Sequence, residues 1–263
     1  KEAHARLYEY YKNKPMKELP DTLEEMEPLF AAVVHGCLAG KHQEAMDDVL
    51  WKRINRNGEY YDLYKLGAFG ADLSCLSGFF ETLWDKASSD LIESAQAEVL
   101  SCAGFALRAV GRLSNAAQSM KAALEMFIEQ ENWAESAREA SNLSQLYVTL
   151  GDMASAQKYG VNSVIFADRS EDGFHMESKR STHADALHQA GKNKAAEKLF
   201  IEAENMQKKR QPEFPYLYSW RGFRFCDLLL SMGKYQEALE RARTAIKIAE
   251  INDRLLHIAI YKL

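Results

Sequence analysis

Residues 217–242 read LYSWRGFRFCDLLLSMGKYQEALERA, and the second half, Gly233-Lys-Tyr-Gln-Glu-Ala238, decides how the whole is interpreted. A glycine followed five residues later by alanine recurs along the chain, as Gly40/Ala45, Gly111/Ala116, Gly151/Ala156, Gly191/Ala196 and Gly233/Ala238. The last four glycines stand 40, 40 and 42 residues apart, each between two helix-length apolar patterns. Glycine enters the left-handed conformation that ends a helix at little cost. Alanine, one turn into the next helix, lets two backbones approach where a larger side chain would wedge them apart. A fixed period of this size is the signature of stacked helical repeats.

The segments before these glycines carry matching stripes. Ala140, Leu143, Ser144 and Tyr147 fall at i, i+3, i+4 and i+7, the spacing of one buried helix face. Gly222, Phe225, Cys226 and Leu229 repeat it before Gly233, as do Leu100, Ala103, Gly104 and Leu107 before Gly111. Each stripe mixes small and large residues, as interlocking helices require. Phe225 and Cys226 are therefore expected in the core. Thr22-x-x-Glu25 after Pro20 forms a capping box, and Asn132-x-x-Glu135 is a looser version. QKKRQPEFP (207–215) reads as a helix end rich in cations followed by a Pro-flanked connector. The pattern predicts helices near 22–39, 42–56, 59–83 (broken), 90–110, 113–130, 133–150, 153–168, 174–190, 193–208, 215–232, 235–250 and 253–263. The 71 residues between Gly40 and Gly111 should hold an irregular repeat without a clean turn.

Bulk properties narrow the class. The 263 residues are 47% apolar and 27% charged, with a net charge of −5, which gives no general attraction to nucleic acid or anionic membrane. No apolar run approaches the roughly 20 residues of a membrane span, and no signal peptide is visible. Cys37, Cys75, Cys102 and Cys226 are widely spaced in apolar helical contexts, which predicts reduced, buried thiols in a cytoplasmic protein. Strand signals are nearly absent. A start at Lys1 and an apolar end, RLLHIAIYKL, suggest a piece of a larger protein.

The turn and helix pattern resembles the tetratricopeptide repeat, at a period longer than the usual ~34 residues. A closer resemblance rests on the strings LPDTLEEMEPLFAAVVHGCLAGKHQEA, KLGAFGADL, AGFALRAVGRL, SNLSQLYVTLGD, ADALHQAGK and PYLYSWRGFRFCDLLL. These look like the repeat region that accompanies the NACHT-type or related STAND nucleotide-binding module of large bacterial signalling proteins. The resemblance implies an all-α solenoid, a right-handed superhelix of antiparallel helix pairs with ~40-residue repeats. It would form one repeat domain over 1–263, regular over about 90–251 and less regular over about 20–89. It further implies a sensor and interaction surface, with a nucleotide-binding domain of the same polypeptide as one candidate partner.

GCLAGKH (36–42) has only three residues between its glycines, and His42 stands where Ser or Thr should hold magnesium, so a repeat turn is the better reading than a phosphate loop. His175, His183 and His188 are eight and five residues apart, off the i, i+3 or i+4 spacing of a helical metal pair. Asp185 and His188 could exchange a proton, but no nucleophile or oxyanion donor accompanies them. The basic-aromatic run Lys208, Lys209, Arg210, Phe214, Tyr216, Tyr218, Trp220, Arg221, Phe223, Arg224 could stack bases and hold phosphates. The repeat register assigns it to packing and helix ending instead, with a protein contact as the next alternative. Neither catalytic residue, metal nor cofactor is expected, nor a nucleic-acid or membrane partner.

What remains is a surface. In tetratricopeptide repeats the first helix of each pair lines the groove. Counting back from the turn glycines places Arg138, Ser141, Asn142 and Gln145 there, then Ser178, Thr182, Asp185 and His188, then Trp220, Phe223, Arg224 and Asp227. Amides, charges and aromatics in this mixture suit an extended peptide or protein surface. Arg224 is expected to matter most, because a planar guanidinium beside Trp220 and Phe223 can both stack and bind a carboxylate. Similar grooves bind peptide termini in some family members, through paired lysines that are not reproduced here. The expected function is a non-catalytic interaction and ligand-sensing module of a bacterial regulator; the alternative is a free-standing scaffold or adaptor that binds a peptide.

Overall fold

A computed structural model describes residues 1–15, 17–251 and 259. The chain divides into two compact units, Lys1–Gln130 and Glu131–Leu263.

In the second unit six helices follow one another: α8 (Trp133–Thr149), α9 (Met153–Ser170), α10 (Gly173–Gln189), α11 (Asn193–Arg210), α12 (Trp220–Ser231) and α13 (Tyr235–Ile251). Consecutive helices pack on one another, and α10 also packs against α8 and α12. Gly151, Gly191 and Gly233 close α8, α10 and α12 at φ of 77°, 73° and 75°, the left-handed values their role requires. Ala156, Ala196 and Ala238 are all buried in the helix that follows. Seven residues before each turn glycine stands another small residue. Ser144 donates to the Ala156 carbonyl at 2.8 Å, and the Cys226 thiol faces the Ala238 carbonyl at 3.7 Å. The small pair thus sets how closely the two helices of a repeat approach. At the C-terminal end the core gathers Phe200 and Phe225, stacked at 4.9 Å, with Leu187, Leu217, Leu228 and Leu229.

The first unit holds α1 (Glu2–Asn13), α2 (Leu23–Ala39) and α3 (His42–Ala45), which runs on into wider π-helical turns over Met46–Ile54. Then come α4 (Tyr61–Tyr64), α5 (Phe69–Leu76), a hairpin of β1 (Phe80–Thr82) and β2 (Lys86–Ala87), α6 (Glu93–Ala109) and α7 (Leu113–Glu129). Thr22 accepts the Glu25 amide at 3.2 Å, and the Glu25 carboxylate accepts the Asp21 amide at 3.0 Å, so the capping box forms one residue early on its return arm. Gly36 lets α2 and α3 touch: a Cβ there would lie 2.7 Å from the Cβ of Ala45. Gly104 serves α6 and α7 likewise, against Met120 and the Ala116 carbonyl. Cys37, Cys75 and Cys226 are buried free thiols, and Cys102 is half-buried.

Several elements depart from the sequence reading. The region before residue 20 holds α1, which packs on α2. Tyr8 is its one buried side chain, so no repeating apolar stripe marked it. The expected helix over 59–83 breaks into two short helices, a 3₁₀ turn and the β1–β2 hairpin. That hairpin is built around Trp84, which takes φ 64° and packs edge-on against Phe80. The helix expected from 215 begins at Trp220 instead. Glu204 accepts the Leu217 amide at 2.9 Å, while Gln207 donates to the Tyr216 carbonyl at 2.8 Å and accepts the Tyr218 amide at 3.3 Å. These side chains of α11 hold 216–218 as a connector and take the backbone groups a helix would use. The helix expected over 253–263 lies outside the described residues, except for 259.

The first unit also buries two acids. Asp62 accepts a hydrogen bond from Asn55 at 3.0 Å, and Asp72 lies beside it; both are almost inaccessible. Burial, reinforced by the Asp62 charge, pushes the Asp72 carboxyl well above the usual aspartate range. The folded chain therefore holds this proton more tightly than the unfolded one. Its contribution to stability is complete below the ordinary aspartate value and is lost as pH rises through the raised one. Asp72→Asn should stabilise the chain relative to wild type by a margin that grows as pH rises from about 4, the ordinary aspartate value, into the neutral range. Urea unfolding across that range checks this, and a margin that stays constant or shrinks contradicts it.

Candidate functional site

Helices α8, α10 and α12, the first helices of successive pairs, line a groove of about 560 Å³ in the second unit. Its lining comprises Ser141, Asn142 and Gln145 from α8, Phe174, Ser178, Lys179 and Thr182 from α10, and Trp220, Arg221 and Arg224 from α12, with Ser219 just before it. Ser141 and Thr182 form the floor, bonded hydroxyl to hydroxyl at 3.2 Å. Asn142 and Gln145 are half-buried. Phe174 and Trp220 stand at the rim, each about half exposed (48% and 52%), where an aromatic ring pays little to gain a partner. Ser219 carries φ 63° and ψ −146°, a conformation that side chains rarely adopt, at the point where the connector turns into α12.

Ion pairs fix the groove's walls. Arg224 reaches Asp185 of α10 at 3.3 Å and donates to Gln145 of α8 at 3.3 Å, so three helices are tied through one guanidinium. The fully buried Glu177 accepts Arg210 at 2.9 and 3.1 Å and also pairs with Arg221. Both of those guanidinium groups lie over the Phe174 ring, at 5.5 and 5.2 Å from its centre. Arg138 pairs with Glu135 on its own helix. Burial pulls the Lys179 ammonium down to about 8, with the Arg138 charge adding to the effect.

Of the residues selected from sequence, Ser141, Asn142, Gln145, Ser178, Thr182, Trp220 and Arg224 meet in this groove. Arg138, Asp185, His188, Phe223 and Asp227 are outside its lining. His188 turns toward Ser231 at 3.1 Å and Asp227 at 3.7 Å, so Asp185 and His188 each have a different partner. Of the two roles expected of Arg224, stacking and carboxylate binding, it takes the second, within the chain. Trp220 and Phe223 meet edge to face at 6.0 Å, and the guanidinium goes to the buried-side carboxylate and amide instead. Phe174, Lys179, Ser219 and Arg221 were not selected. Phe174 directly follows the first residue of α10, after the Asp172 cap, where a turn residue is the ordinary reading. Arg221 was assigned to packing, and it does pair with Glu177.

The other chemical candidates have structural settings. GCLAGKH is the end of α2 and its cap, Gly40 at φ 82°, with Lys41 held by Glu9 and Glu44. His183 packs against Gly160, where a Cβ would meet its ring at 2.9 Å. Tyr216 in the basic-aromatic run donates to Glu240 at 2.7 Å, and Arg241 lies over its ring. Among the described residues no group of His, Cys, Asp and Glu could hold a metal ion, and no helix is long and apolar enough to cross a membrane.

No protein-family model and no curated protein matches the chain. Solved structures do. The apo form of RapI superposes with a TM-score of 0.61 at 15% identity, over 98% of this chain and 73% of that one. BtubC (BKLC) from P. vanneervenii gives 0.56 at 12%, over 96% and 91%. The nearly identical TPR-like repeats of a putative kinesin light chain from Podosopora anserina give 0.53 at 14%, over 87% and 97%. Identity this low speaks for the fold alone, and the fold is an all-α solenoid of the tetratricopeptide type.

Proposed function

We propose that the groove of α8, α10 and α12 binds an extended peptide or protein segment. We further propose that the chain serves as the interaction and ligand-sensing part of a larger bacterial signalling protein. One observation carries the first reading. Three consecutive first helices present two half-exposed aromatic rings above a hydroxyl-bonded floor with amides on the wall, a lining suited to an apolar side chain and its flanking backbone. The wider setting is supported by the resemblance of the strings quoted above to STAND-associated repeat regions. It would place the chain in the cytoplasm, with a nucleotide-binding domain of the same polypeptide among its partners.

Panning a library of random linear peptides against the intact chain tests the groove. Peptides recovered by the wild type should bind Trp220→Ala and Asn142→Ala about tenfold more weakly or worse, with melting temperatures close to wild type. Failure to retain any peptide, or equal retention by both variants, contradicts the reading.

A further inference from the structure

The charged side chains around the groove are almost all neutralised by a specific partner. Arg224 has Asp185, Arg138 has Glu135, and Arg210 and Arg221 share Glu177. Arg180, the neighbour of Lys179 on α10, is held by Asp168 at 2.7 Å and Glu202 at 2.6 Å. Lys179 differs. Only 9% of its surface is exposed, yet among the described residues nothing hydrogen-bonds or ion-pairs with its ammonium. It lines the groove.

The groups that face it explain why. Glu135, Arg138 and Glu139 approach from α8 and Arg221 from α12, while His175 lies one turn earlier on α10. The two carboxylates act on Lys179 only at a distance, and two guanidinium groups oppose them. A buried cation without a hydrogen-bonded counter-charge is costly. A methionine would fill the same space without that penalty. The position gains only when a negative group enters the groove and takes the ammonium's donors.

We infer that Lys179 is the seat for an oxyanion, a carboxylate or a phosphate, carried by the peptide that lies in the groove. The inference rests on the groove reading above. An ammonium is a compact point charge with three donors, which suits either oxyanion and imposes no planar geometry. Arg221 and Arg224 line the same groove, but each is already paired with a carboxylate, so the seat rests on Lys179 itself. This is one buried lysine receiving a side-chain or terminal oxyanion, not a pair of lysines.

The test takes a peptide recovered from the library and varies one position through Asp or Glu, phosphoserine and the neutral Asn or Ser. Wild type should bind one of the anionic forms at least about tenfold more tightly than the neutral form. The arm that wins identifies the oxyanion as carboxylate or phosphate. Lys179→Met and Lys179→Gln should lose that preference, binding anionic and neutral forms alike, and they should melt no lower than wild type. Equal binding of all forms by the wild type, or a preference retained in both variants, overturns the seat and leaves the groove standing. No peptide binding at all overturns the groove and the seat together.

Discussion

Phe225→Ala should lower the stability of the chain by about 3–5 kcal/mol. The ring is 1% exposed and stacks on Phe200 at 4.9 Å with 9° between the planes. Arg241 covers its other side, with the guanidinium carbon 4.3 Å from the ring centre. Leu217, Leu228 and Leu229, all in the same cluster, close the remaining space. Truncation removes the buried surface and leaves a void that helices held by their turn glycines cannot collapse to fill. Leu230→Ala, on the exposed side of the same helix, is the control and should cost less than about 1 kcal/mol. Chemical denaturation followed by far-ultraviolet circular dichroism measures both. A Phe225→Ala loss no greater than the control's contradicts the packing described.

The second large effect is electrostatic. Glu177→Gln keeps the side chain's shape and removes the negative charge on which Arg210 of α11 and Arg221 of α12 converge. The carboxylate is fully buried, so its loss removes the charge that both guanidinium groups share inside the fold. Breaking a buried pair by deleting one member costs about 3–5 kcal/mol. The lower end applies here, because Arg210 is about one-third exposed and can rehydrate. The exposed pair Arg6–Glu2 provides the contrast; Glu2→Gln should change stability by less than about 0.5 kcal/mol. If both substitutions prove equally mild, Glu177 does not organise the junction of α10, α11 and α12.

The repeat itself was legible because it depends on local rules. A glycine at positive φ, a small residue seven positions earlier and an alanine five positions later are enough to specify a closely packed pair, and each is a one-letter signal. Phe225 and Cys226 were placed correctly for the same reason. Elements set by distant contacts were not legible. The start of α12 is fixed by Glu204 and Gln207 of the preceding helix, which no pattern within 215–232 announces. α1 shows one buried tyrosine and no stripe. On the groove, the helical face could be counted back from the glycines, which is how Asn142, Gln145, Thr182 and Trp220 were found. Which charges would be consumed by partners could not. Asp185 and Arg224 look like free recognition groups in sequence and are spent on each other in the fold. Lys179 looks like an ordinary solvated lysine and is buried.

Hydrogen–deuterium exchange with a library-selected peptide tests the groove most directly. Binding should slow exchange in segments spanning 138–145, 174–182 and 219–227, and leave α9, α11 and α13 at their free rates. Protection concentrated on those second helices, or in the first unit, would contradict the assignment of peptide recognition to α8, α10 and α12.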